Sequence, residues 1–152
     1  MARALNGSRA LVIPLLAFAG SLPLMGLMLV SPMIGSGLAS ALFGLYGLAI
    51  ACFLLGSWWG VALVSAPRTL LPVAELAVSN ALLLVVVLCH AVFDGAILLL
   101  SQAGLFIVIL LVEQAMPRLR TAPQYYRSMR RQVTALVSLL HVGFAVWLLL
   151  SA

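Results

Sequence analysis

The chain has 152 residues, of which 65% are hydrophobic and 7% charged, with eight basic and three acidic side chains. A soluble domain carries about 25% charged and about 45–50% apolar residues, and so apolar a chain cannot cover a water-facing surface of this size. The formal charge of +5 comes from arginines scattered through an apolar chain, not gathered on one basic face, which excludes nucleic acid as a partner. What remains is an integral membrane protein.

A spanning helix needs about 20 mostly apolar residues. Five stretches qualify, at 10–30, 38–64, 70–90, 96–114 and 132–150. The runs are continuous and lack the period-two alternation of a barrel, and closed intrahelical hydrogen bonding makes helices the solution in lipid. The expected fold is all-α, a polytopic transmembrane bundle of five helices forming one membrane domain over 1–152. Turn chemistry separates the spans at Ser31-Pro32 and Gly35-Ser36-Gly37, at Ser65-Ala66-Pro67, at Asp94-Gly95, and from Pro117 to Pro123. The short segment from Cys89 to Gly95 predicts a tight antiparallel hairpin of spans three and four, and Pro14 and Pro23 predict bends in span one. Arg3 and Arg9 followed by Ala17-Phe18-Ala19 have features of a signal peptide, but the apolar run continues through Val30 and reads as a retained span.

Positive residues stay on the cytoplasmic side of a membrane. Arg3, Arg9, Arg68, Arg118, Arg120, Arg127, Arg130 and Arg131 all fall in the N-terminal tail or the loops at 65–69 and 115–131. The expected topology is N-in/C-out. The absence of Lys is what a GC-rich genome would give, and the expected location is a bacterial cytoplasmic (inner) membrane, crossed several times.

Span two is the longest and carries Ser40, Gly44, Gly47, Ala51, Gly56 and Gly60. Gly56 and Gly60 have the small-xxx-small spacing that lets helices approach closely. Two readings follow: packing at the centre of the bundle, or a face for a partner helix, a second copy or a lipid. Trp58 and Trp59 lie near the inner interface, where one is expected to anchor and the other to face protein, and Trp147 holds a belt position near the outer interface. From Pro123 to Gln132 the chain reads as a helix running into span five, with Arg127, Arg130 and Arg131 on one face toward anionic lipid headgroups.

Ionisable and polar residues at membrane depth are functional candidates by default. Asn80, Gln102, His141 and Cys52 fall near one midplane layer of four different spans. They read either as a neutral clasp, with His141 and Asn80 satisfying each other, or as a polar pocket in which His141 titrates. Glu75 lies one turn into span three and is expected to pair with Arg68, Arg130 or Arg131; it also reads as a gated substrate or proton site. Glu113 closes span four and is expected to be solvated. Cys89, His90 and Asp94 form only a loose trio, short of a metal set, and no sequence motif calls for a cofactor.

The stretch from Tyr46 to Leu63, with Tyr46-Gly47, Phe53, Gly56 and Trp59-Gly60, resembles the signature of a family of small multi-span membrane proteins. That family occurs in bacteria and mitochondria and is catalogued as a domain of unknown function. Leu55 stands where its first paired glycine would be. Ala19-Gly20-Ser21-Leu22-Pro23 is similar to the family's first span, and Tyr125-Tyr126-Arg127 through Arg130 to its C-terminal part. The resemblance implies a five-helix inner-membrane protein and transfers no catalytic residue.

The functional expectation is a non-catalytic inner-membrane protein. It would be an accessory, assembly or lipid-like-ligand-binding module, packing through span two on a larger membrane complex or a second copy. The alternative is a small transporter or proton-coupled carrier using Glu75, Asn80, Gln102 and His141.

Overall fold

The computed structural model describes residues 12–65, 72–117 and 124–151. They form helices α1 (12–19), α2 (Leu22–Ile34), α3 (Ser36–Ser65), α4 (Val73–Val92), α5 (Gly95–Ala115) and α6 (Gln124–Leu150), with no strand among the described residues. Taken together, α1 and α2 make the stretch Val12–Ile34, which with α3 to α6 gives five stretches long and apolar enough to cross a membrane. The spans expected at 10–30, 38–64, 70–90 and 96–114 each correspond to one of these, shifted by a few residues. The fifth begins earlier than 132 because the arginine-bearing helix from Gln124 is continuous with it.

Span one is broken where a bend was expected. Pro23 has no N–H to offer, and its ring cannot accept a continuous helix across the preceding turn. The chain therefore turns at Gly20 and Ser21, where the Ser21 hydroxyl donates to the Phe18 carbonyl at 2.6 Å. Pro14 sits inside α1. Helix α2 ends at Gly35, whose φ of 89° is the left-handed region that a glycine adopts without strain. Only Phe93 and Asp94 separate α4 from α5, which is the expected tight hairpin.

Helix α3 packs on α2, α4 and α5, and α5 and α6 form the most extensive pair. The 30 residues of α3 span about 45 Å at 1.5 Å per residue, longer than the ~30 Å hydrocarbon core. The interior is built from Phe43, Leu55, Trp58, Leu99, Phe106, Ile109 and Phe144, all buried. The exterior is apolar too: Met33 is 86% exposed, Val64 87% and Leu29 80%. Continuous apolar surface on that scale is incompatible with water and fits lipid. The chain is a membrane protein.

The described arginines, Arg127, Arg130 and Arg131, all lie in the first turns of α6 and mark one end of the bundle. At this arginine end, late α3 meets late α5 and early α6. The α2–α3 turn, the α4–α5 hairpin turn and the end of α6 lie at the other, the hairpin end, where early α3 meets late α4 and early α5.

Candidate functional site

Two polar centres are buried in the bundle, one toward each end. At the arginine end, Glu113 of α5 and Arg130 of α6 form an ion pair, with Arg130 5% and Glu113 9% exposed. The Arg130 Nε donates to both carboxylate oxygens at 3.2 Å, and Nη2 donates to Oε2 as well. The Trp58 indole N–H of α3 adds a third helix, donating to Glu113 Oε2 at 3.3 Å. This corrects two expectations. Glu113 is not solvated, and Arg130 does not point outward as expected: it turns inward, where α5 places a carboxylate opposite it, while Arg127 and Arg131 are exposed. A charge buried in this setting is tolerated only when paired and hydrogen-bonded.

Toward the hairpin end, Gln102 of α5 and His141 of α6 meet on the backbone of α3. Gln102 is 2% exposed and His141 fully buried. The Gln102 Nε2 donates to the Gly44 carbonyl at 2.8 Å. His141 Nδ1 lies 2.8 Å from the Val137 carbonyl, and a carbonyl only accepts, so Nδ1 carries the proton. The rings of Phe43 and Phe106 stand edge-on to the imidazole, with centroids 4.8 and 5.2 Å away. Glycine at position 47 is required here: a Cβ would lie 2.7 Å from both Gln102 Oε1 and His141 Nε2. At Gly44 a Cβ would meet the end of the Leu98 side chain at 2.7 Å.

Of the four midplane candidates the structure therefore unites two. Asn80 is exposed on the outer surface of α4, so the expected bond between His141 and Asn80 is absent: α4 turns the neighbouring Ser79 inward instead, onto the Leu55 carbonyl at 2.9 Å. Cys52 is likewise exposed. Glu75 is half-buried in the first turn of α4. Arg130 is committed to Glu113, and Arg68 lies outside the described residues. Trp58 faces protein while Trp59 is 38% exposed. The glycines of α3 divide in the same way: Gly44 and Gly47 are close-packed, whereas Gly56 and Gly60 are exposed with open space at their Cβ positions. The Gly56–Gly60 pair is not what packs the centre of the bundle.

A third feature is an apolar cleft of about 520 Å³ between α1, α3 and α6, lined by side chains such as Ile13, Leu16, Ala49, Phe53 and Val133. The hydroxyls of Ser21, Tyr46 and Ser57 on its wall already donate to backbone carbonyls. Its remaining polar side chains, Tyr126 and Arg130, stand together at the arginine end. On the far side of Arg130 a recess of about 310 Å³ is lined by Glu113, Gln114, Gln124, Arg127, Arg130 and Arg131. Sequence reasoning did not find the cleft, which depends on the break at Gly20–Ser21; Pro23 was the visible signal for it.

A family profile described as "Protein of unknown function (DUF3429)" matches residues 8–146 of the chain. No curated protein and no solved structure matches it.

Proposed function

The chain belongs to the DUF3429 family of proteins of unknown function, and from that footing we propose that it is a non-catalytic accessory module of the bacterial cytoplasmic membrane that binds an anionic amphiphile. One observation carries this reading: the cleft between α1, α3 and α6 is apolar along its length and polar at one end, at Tyr126 and Arg130. Its volume, about 520 Å³, lies in the range of small-molecule sites. An acyl or isoprenoid tail would lie against Leu16, Ala49, Phe53 and Val133. Its headgroup would reach the membrane surface beside Tyr126; Arg130 there is neutralised by Glu113, so the positive charge at that end comes from Arg127 and Arg131, which line the neighbouring recess. Anionic headgroups gain about 1 kcal/mol per basic residue near such a surface. In the N-in/C-out orientation this end faces the cytoplasm.

The test is retention. Protein purified from its native membrane is extracted and the extract analysed by mass spectrometry, for the native chain and for Ala49→Trp. Ala49 lines the cleft and is exposed, so the larger side chain fills the cleft without entering the core. Near-stoichiometric retention of one anionic amphiphile class, lost in Ala49→Trp, is the expected outcome. The same mixed bilayer lipids at the same level in both proteins would reject the proposal.

A further inference from the structure

The recess of about 310 Å³ at the arginine end lies between the end of α5 and the start of α6. Its buried wall is the Glu113–Arg130 pair, and its exposed rim carries Gln114 of α5 with Gln124, Arg127 and Arg131 of α6. The last three stand at i, i+3 and i+7 and share one face of the helix.

The charges in this recess do not cancel. Three guanidiniums line it against one carboxylate, which leaves two positive charges in excess. The chain has three acids in all. Glu113 has both oxygens engaged by Arg130 and Trp58, Asp94 lies in the hairpin turn at the other end, and Glu75 does not line the recess. Arg127 and Arg131 have no ion-pair or hydrogen-bond partner among the described residues. Two like charges four residues apart on a helix repel each other, and an anion held between them removes the repulsion.

Charge and donor geometry select the anion. Each guanidinium is a planar fork that takes two oxygens of a phosphate or a carboxylate. A terminal phosphate carries about −1.5 to −2 charges at neutral pH, which matches the excess, and offers three oxygens to be shared between the two forks. A phosphodiester or a carboxylate brings a single charge. The Gln114 and Gln124 amides add neutral donors at the rim. Gln124 is also the first residue of the 27-residue α6, so the positive end of that helix is at the recess.

We propose that this recess is a binding site for a terminal phosphate group, held by Arg127 and Arg131 beside the Arg130–Glu113 wall. The group belongs either to a phosphomonoester lipid or to a soluble phosphate. With a lipid source the inference rests on the amphiphile reading and names its headgroup. The recess lies across Arg130 from the cleft, so a phosphate without a tail binds it whatever the cleft holds.

The test is calorimetric titration of inorganic phosphate into the full chain in phosphatidylcholine nanodiscs, at constant ionic strength. Saturable binding is expected. Arg127→Gln and Arg131→Gln are each expected to weaken it by about tenfold. Both side chains are exposed, so the variants leave the core intact. The titration is repeated in nanodiscs carrying phosphatidic acid or phosphatidylglycerol at matched surface charge. Phosphate binding lost in phosphatidic acid but kept in phosphatidylglycerol supports the site with a lipid headgroup as its source. Binding kept in both supports it with a soluble phosphate as the source. No saturable binding in phosphatidylcholine, equal binding in both arginine variants and the native chain, or loss in both anionic lipids overturns the proposal. Inorganic phosphate has no tail, so this test and the retention test of the cleft fail separately.

Discussion

Glu113 and Arg130 hold α5 against α6 through a buried ion pair, and the Trp58 indole ties the same carboxylate to α3. Removing one member leaves the other charged and buried, which costs about 3–5 kcal/mol, whereas replacing both with apolar residues of similar size is often neutral or stabilising. Arg130→Met and Glu113→Leu are each expected to lower unfolding free energy in mixed micelles by about that range, and the double variant to recover most of the loss. A double variant as unstable as the sum of the singles would show that the pair is not the source.

The glycines of α3 are expected to separate into two classes. Gly47→Ala forces a carbon against Gln102 and His141, and overpacking of this kind costs about 1–3 kcal/mol. Gly56→Ala and Gly60→Ala meet nothing and gain up to about 1 kcal/mol in helix propensity. Thermal unfolding of the three variants side by side checks the order, and equal destabilisation by all three would contradict it.

Asn80 is exposed, so it contributes nothing to the packing of the chain on itself. Asn80→Leu is expected to change unfolding free energy by less than about 0.5 kcal/mol, while Gln102→Leu removes the amide's bond to the Gly44 carbonyl, which keeps its partner within α3, at a cost of about 0.5–1.5 kcal/mol. Comparable losses in the two variants would place Asn80 back in the interior.

The five spans are legible in the chain's apolar runs and turn residues, because bilayer thickness and backbone hydrogen bonding permit little else. The rotation of each helix about its axis is not legible in the same way. In α5, apolar residues cover every face, so nothing in the run says that Glu113 and Gln102 point inward. In α4 nothing marks Ser79 as inward and Asn80 as outward. Glycine spacing has the same limit: it allows close approach at Gly56 and Gly60 as well as at Gly44 and Gly47, but only the earlier pair meets neighbouring side chains. His90 escaped the polar centre for a related reason. Depth along the chain placed it near the outer turn, and only the packing of α4 on α3 brings its ring beside Gly44.

The proposed orientation is checked by labelling. In a background with Cys52 and Cys89 replaced by Ser, a thiol introduced at the exposed Ser151 is expected to react with an impermeant maleimide in intact cells. A thiol at the exposed Gln124 is expected to react only after permeabilisation. The reverse pattern would invert the topology and put the headgroup end of the cleft outside.

The amphiphile-binding cleft is tested most directly by a high-resolution map of the protein in native-lipid nanodiscs. The expected result is one continuous elongated density between α1, α3 and α6, running past Ala49 and Val133 and ending beside Tyr126 and Arg130. A cleft closed by the packing of α1 onto α6, with no density ending at those two residues, would contradict it.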